Sequence, residues 1–234
     1  MELQEMHCKN CGSRQKSLFC KLEEEELDTL SINKNCINFK KGEFVFEERN
    51  TPKGIYCINS GKVKIYKLGD KGKKQIVRLA KDGDIIGYRS LLSGERYTAF
   101  ARCIEPANIC FVPKETFFDL IKTNQDVSMR MMEMLSRELR KSEQALTGIV
   151  QKPVKERLAE TILMLKETYG YEDDKQTLNV TLSREDIADL VGTATETVIR
   201  FLAQLKDDGV IEQKGKRIVI KNMQSLVREA NIFD

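Results

Sequence analysis

Residues 182–205 read Leu182-Ser-Arg-Glu-Asp-Ile-Ala-Asp-Leu-Val-Gly-Thr-Ala-Thr-Glu-Thr-Val-Ile-Arg-Phe-Leu-Ala-Gln-Leu205, and two helix starts lie inside this stretch. Ser183 with Asp186, and Thr193 with Glu196, have the spacing of a capping box, in which a hydroxyl accepts an otherwise unpaired amide hydrogen of the first turn. Gly192 stands between them and suits a sharp turn. The first helix is expected to turn Ile187, Leu190 and Val191 inward, and the second Val198, Leu202 and Leu205. Two short helices joined by a glycine-containing turn form the helix-turn-helix pattern.

The second helix leaves Thr195, Glu196, Ile199, Arg200 and Ala203 on its other face. An arginine can pair bidentately with guanine, a glutamate can accept from cytosine N4, and an exposed isoleucine can meet a thymine methyl in the major groove. The alternative for Glu196 and Arg200 is an ion pair along the helix, with Glu196 serving as a cap. Ser183, Arg184, Thr193 and Thr197 complete the candidate DNA contacts on the helix pair. Just downstream, Gly209-Val-Ile-Glu-Gln-Lys-Gly-Lys-Arg-Ile-Val-Ile220 predicts two short strands around Lys214, Lys216 and Arg217, a basic hairpin tip able to lie on phosphate as a wing.

Upstream, a helix is expected from Lys155 to Tyr169, and before it a long helical pattern runs from about Gln125 to Val150. Met131, Met134, Leu135, Leu139, Leu146 and Ile149 fall on one side of it at spacings of three, four and seven, close to the seam of a coiled coil. The alternative partner for this stripe is the chain's own upstream domain. Gly148 and Pro153 punctuate the helix end. Between Cys36 and Val112 the period is two, in short runs at 44–46, 55–58, 63–67, 76–79 and 109–112. Turn signals separate the runs at Lys41-Gly42, Asn59 to Gly61, Gly69 to Gly72, Lys81 to Asp84 and Ser93-Gly94. Many short, evenly spaced strands predict an antiparallel roll or barrel. A short amphipathic helix over Leu22–Leu30 precedes it.

The chain has 234 residues, room for two domains. Its parts are expected at 1–21 (a cysteine-bearing segment), 22–124 (a β-roll), 125–152 (a dimerisation helix) and 153–234 (a winged helix-turn-helix). No run of 18 apolar residues appears and the first residues are too polar for a secretory signal, so a cytoplasmic protein is expected. In that compartment the seven cysteines are not expected to form a disulfide framework. The net charge of +3 is weak, and residues 151–234 carry 13 basic against 15 acidic side chains, so a nucleic-acid partner must be argued from a local patch.

Barrel, long helix and winged helix-turn-helix, in this order and at this length, resemble the CRP/FNR family of bacterial transcription regulators over nearly the whole chain. The matching motifs are Gly61-Lys-Val-Lys, Glu156-Arg-Leu-Ala, Leu182-Ser-Arg-Glu-Asp-Ile-Ala and Glu196-Thr-Val-Ile-Arg200. The resemblance implies an α+β chain with a cyclic-nucleotide-binding-like roll, no enzymatic activity, a homodimer on roughly palindromic DNA, and RNA polymerase as a partner. Consistent with this, no phosphate loop is present, and the single histidine, His7, lies outside the expected folded core. Recognition in FNR-like members is usually Glu-x-x-Ser-Arg; Ile199 stands here for the serine, so the target sequence does not carry over.

Two signals are at issue. Members that bind a cyclic nucleotide carry Gly-Glu for the ribose and Arg-Ser-Ala or Arg-Thr-Ala for the phosphate. This chain has Gly87-Tyr88-Arg89 and Arg96-Tyr97-Thr98-Ala99 in those places. The ribose acceptor is missing and the arginine is one residue out of register, which points a strand side chain to the opposite face. Cyclic AMP is therefore disfavoured at Gly87, Tyr88, Arg89, Arg96 and Thr98. Iron–sulfur members use three N-terminal cysteines and a fourth on a barrel strand. Cys8, Cys11, Cys20 and Cys110 match that set and imply a 4Fe–4S cluster sensing oxygen, nitric oxide or redox state. The gap from Cys11 to Cys20 is wider than is usual in the family. Two rival readings remain, zinc held by His7 with Cys8, Cys11 and Cys20, and a thiol–disulfide switch at these residues. Cys36, Cys57 and Cys103 read as small buried hydrophobes.

Overall fold

The structure, a computed structural model, describes residues 7–232. The chain divides into two compact units, Met1–Glu138 and Leu139–Asp234. The division falls inside the long helix expected at 125–152.

In the first unit the cysteine segment is folded. Two short 3-10 turns, Cys8–Asn10 and Arg14–Lys16, lead into helix α1 (Glu24–Asn33). Eight strands follow: β1 (Asn35–Phe39), β2 (Phe44–Phe46), β3 (Gly54–Ser60), β4 (Val63–Leu68), β5 (Lys74–Ala80), β6 (Ile85–Ile86), β7 (Phe100–Cys103) and β8 (Ala107–Pro113). Helix α2 (Tyr88–Ser93) lies between β6 and β7, and α3 (Lys114–Thr123) leads to α4 (Gln125–Gln151). The strands make two antiparallel sheets, ordered β1-β8-β3-β6 and β2-β7-β4-β5. The antiparallel roll read from the period-two runs is thus present.

The two cores explain the pattern. Ile58, Ile86, Ile109, Val63, Ala101 and Tyr97 fill the space between the sheets. The opposite face of the first sheet carries Ile55, Cys57 and Val112, and it is covered by Leu18, Phe19, Leu27, Leu30, Phe117, Val127 and Met131. Strands β3 and β8 are therefore buried on both faces, so their sequences run apolar without strict alternation.

In the second unit, α5 (Val154–Tyr169) packs with α6 (Arg184–Val191), α7 (Thr195–Asp207) and α8 (Met223–Glu229), and β9 (Ile211–Lys214) pairs with β10 (Arg217–Ile220). Leu158, Ile162 and Leu165 of α5, Ile187 of α6, Val198, Leu202 and Leu205 of α7, and Leu226 of α8 are all buried in it.

The α4 stripe is corrected by the structure. Met131 is buried, and Met134 packs against the first unit's core. Leu135, Leu139, Leu146 and Ile149 of the stripe are exposed, and so are Met129, Met132 and Val150. The first turns of the helix thus pack on the chain's own core, and the later apolar residues of the stripe are exposed.

Candidate nucleic-acid interface and cysteine site

Ser183 caps α6 as its spacing required. Its hydroxyl accepts from the Asp186 amide at 3.0 Å, and the Asp186 carboxylate accepts in return from the Ser183 amide. Gly192 ends the helix at φ +74°, in the left-handed region that glycine enters freely, and turns the chain toward α7. The second capping box does not form. The residue before α7 is Ala194, with no side-chain cap, so Thr193 and Glu196 are not locked to the helix start.

On α7, Val198, Leu202 and Leu205 are fully buried, which fixes the rotation of the helix. Glu196, Ile199, Arg200 and Ala203 consequently face solvent, with Thr195 and Thr197 half-buried beside them. Ile199 is 52% exposed. Arg200 lies with its guanidinium 4.9 Å from the Phe201 ring centre, and among the described residues Glu196 and Arg200 form no ion pair. Both are available to a base edge.

The wing is a two-residue hairpin in which Lys214 pairs with Arg217, and Gly215 turns at φ +63°. Lys214, Lys216 and Arg217 are exposed, and Arg217 also pairs with Glu172 at 3.1 Å. Arg184 has a role its position in the motif did not reveal. Its guanidinium donates to Gln213 Oε1 at 2.6 Å and to the Gly215 carbonyl at 3.1 Å, and burial lowers its pKa. Gln213 in turn donates to the Leu202 carbonyl. Arg184 thus ties the wing to the helix pair and positions one against the other.

In the first unit, sulfur atoms gather under the N-terminal segment. Cys8, Cys11, Cys57 and Cys110 line one cavity of about 50 Å³, with Ser13, Asn59 and Gly83. That volume is far below the roughly 300 Å³ at which small-molecule pockets begin, so the cavity has room for an ion or water only. Strand register explains the gathering: Cys110 on β8 is directly opposite Cys57 on β3 and directly opposite Cys36 on β1, so three sulfurs form a row on one sheet face. A parallel row of Asn59, Asn108 and Asn38 is joined by side-chain hydrogen bonds of 3.2 and 2.7 Å. Cys11 sits at its end, its thiol 3.1 Å from Asn59 Oδ1.

Cys36 and Cys110 are joined by a disulfide. This corrects the reading of Cys36 as a small buried hydrophobe; the other five cysteines are free. Cys57 is half-buried in the cavity wall, and desolvation, reinforced by nearby Cys8 and Cys11, pushes its thiol well above the usual range. Cys103 behaves as read: it is buried in the roll, which raises its pKa to about 11. Cys20 is half-buried and does not line the cavity. His7 turns elsewhere, with Nε2 3.1 Å from Asp28 and Nδ1 accepting from the Lys9 amide.

Residues 36–124 match the cyclic nucleotide-binding domain family, and residues 156–229 match the Crp-like helix-turn-helix domain. The fumarate and nitrate reduction regulatory protein of Escherichia coli (strain K12) is 30% identical over 227 residues, which is 96% of this chain and 90% of that protein. The chain belongs to the CRP/FNR family. The fumarate nitrate reduction regulatory protein of Klebsiella oxytoca is 29% identical over 227 residues, 96% of this chain and 90% of that protein. Among solved structures, FixK2 from Bradyrhizobium japonicum aligns with a TM-score of 0.77 at 26% identity, covering 86% of this chain and 99% of that one. A CRP/FNR-family regulator from Thermus thermophilus shares the fold, with a TM-score of 0.71 at 21% identity over 85% of this chain and 99% of that one.

Tyr97 points inward, stacked on Phe46 at 4.1 Å, while Arg96 and Thr98 on either side of it are exposed. Residues 96–98 lie in the loop before β7 rather than in a strand, so the alternation of a strand does not set the direction of Arg96. A Cβ built on Gly87 would lie 3.4 Å from the Tyr97 hydroxyl, so the ring fills the space between the two segments. Tyr88 is buried and its hydroxyl accepts from Arg78 at 3.1 Å, while Arg89 donates to Glu138 at 2.9 Å.

Four thiols from Cys8, Cys11, Cys20 and Cys110 are not brought together. Cys110 is bonded to Cys36, Cys20 stands off the cavity, and among the described residues no three His, Cys, Asp or Glu side chains are gathered as a metal site. The same applies to His7 with its three neighbouring cysteines. In this state neither donor set fits its metal.

Proposed function

We propose that this CRP/FNR-family transcription regulator is a homodimer that reads a roughly palindromic DNA site and responds to redox state, oxygen or nitric oxide through its N-terminal cysteines. The observation that carries the sensing reading is the cavity shared by Cys8, Cys11 and Cys110, residues about a hundred positions apart in the chain. The relatives' name, regulatory protein of fumarate and nitrate reduction, agrees with a respiratory signal.

A physical route from that cavity toward DNA supports the reading. Cys8 belongs to the same continuous core as Leu18, Leu22, Leu30, Val127 and Met131. Its amide donates to Ser31 of α1 at 2.9 Å, and Glu26 of α1 accepts from Asn124, whose own side chain caps the Val127 amide at the start of α4. A change in the cysteine segment therefore alters the packing of the helix whose outward seam is the proposed dimer contact, and shifts the population of DNA-binding dimer.

A 4Fe–4S cluster on Cys8, Cys11, Cys20 and Cys110 is one form of this reading. It requires the Cys36–Cys110 bond to be open and Cys20 to turn inward. Purification without oxygen, followed by iron and sulfide analysis and DNA titration, tests it. Iron-free protein that binds DNA equally with and without air would sink the sensing reading. A regulator controlled by a small molecule in the roll is the second reading; the inward Tyr97 weighs against it. The dimer is expected to work beside the chromosome in the cytoplasm and to contact RNA polymerase as other members do.

A further inference from the structure

Cys36 lies outside every ligand set that the sequence suggested, yet it holds the one barrel cysteine in that set. We propose that the Cys36–Cys110 disulfide is a reversible redox bond that withholds Cys110 from the sulfur-lined cavity, so that Cys36 decides when the cavity has its full complement of thiols. The inference rests on reading the N-terminal cysteines as a sensing site, and it names that site's regulation.

Geometry makes the bond reversible without unfolding. Cys36 and Cys110 are direct partners across β1 and β8, and β1 is an edge strand with a single neighbour. Bond making and breaking need only side-chain rotation within a ladder that stays paired. Access is one-sided: Cys36 is half-buried on the edge, whereas Cys110 is 7% exposed beneath the N-terminal segment. An incoming thiolate therefore attacks the Cys36 sulfur, and the Cys110 thiolate leaves into the cavity. A second thiol then releases Cys36. One dithiol, or two monothiols, is oxidised to a disulfide, and two electrons and two protons pass to Cys36 and Cys110. Oxidation by a disulfide or a peroxide-class oxidant reverses the balance.

Cys57 faces Cys110 from the other side and is a free thiol. The setting argues the same way. A DNA-binding regulator works where glutathione and thioredoxin keep thiols reduced, and disulfides that occur there are usually transient or redox-sensing.

The test uses the full-length protein, treated with dithiothreitol or diamide under native conditions, alkylated and mapped by peptide mass spectrometry. The expected result is a Cys36–Cys110 linked peptide that disappears on reduction and returns on oxidation. Cys110 should be alkylated only in reduced wild type, but in both states of Cys36→Ser or Cys36→Ala. A bond that never forms, that resists native reduction, or a Cys36→Ser protein in which Cys110 is still protected by oxidation overturns the proposal. DNA affinity is read in parallel and should differ by about fivefold or more between the two wild-type states. A bond that cycles while affinity stays constant supports the gate on Cys110 and removes the sensing reading, so the two failures are distinct.

Discussion

Arg184, the first residue of α6, donates to Gln213 of the wing at 2.6 Å, and that contact orders the basic hairpin relative to the recognition helix. Charge-assisted hydrogen bonds of this kind contribute roughly 1.5–3 kcal/mol where they are sheltered from water. Arg184→Ala is therefore expected to lower the melting temperature of the protein and to weaken DNA binding evenly across sequences. Anisotropy titrations against a panel of single-base variants check this; a selective change at one base pair would instead make Arg184 a base reader.

Arg200 should behave differently. It is exposed on α7, free of Glu196 and presented by a helix whose rotation three buried side chains fix. Arg200→Ala is expected to cost about 1–3 kcal/mol of binding and to relax specificity at one base pair per half-site. The same panel measures both effects.

Leu139 and Leu146 stand seven residues apart on the outward seam of α4 and are 62% and 65% exposed. A charge at either position costs the single chain little, but it must be buried if two copies pair along this seam. Leu139→Glu is expected to convert dimer to monomer in light scattering while leaving circular dichroism unchanged, and to abolish tight binding to a two-half-site operator.

Gly83 is the place where the cysteine segment presses on the roll. It has φ +87°, and an added Cβ would lie 2.8 Å from the Lys16 Cβ and 3.3 Å from the Lys16 backbone. Left-handed backbone alone costs a non-glycine residue roughly 1–2 kcal/mol, and the clash adds to it. Gly83→Ala is expected to loosen the segment, seen as faster alkylation of Cys11 with little change at Cys103.

The parts legible from sequence are those in which chemistry repeats locally. The capping box at Ser183, the turn at Gly192 and the 3.6-residue stripe through Val198, Leu202 and Leu205 are each encoded within a few neighbouring positions, and each appears where expected. The second box is absent because Ala194, not Thr193, is the last non-helical residue before α7. Strand β1 is not legible in the sequence, since Asn-Cys-Ile-Asn-Phe at a sheet edge has little apolar contrast, and two-residue β6 is too short to carry a period.

Periodicity along α4 could show an apolar helix but not divide it. Met131 faces inward because α1 and the cysteine segment pack there, and those residues lie a hundred positions earlier. The sulfur row has the same origin. Cys36, Cys57 and Cys110 are isolated in the chain, and only the registers of β1 with β8 and β8 with β3 place them side by side. Residue spacing specifies helices, caps and turns because their hydrogen bonds close over three or four positions. Pairing between distant strands is chosen by the burial of whole sheet faces, and that choice brought Cys36 to Cys110.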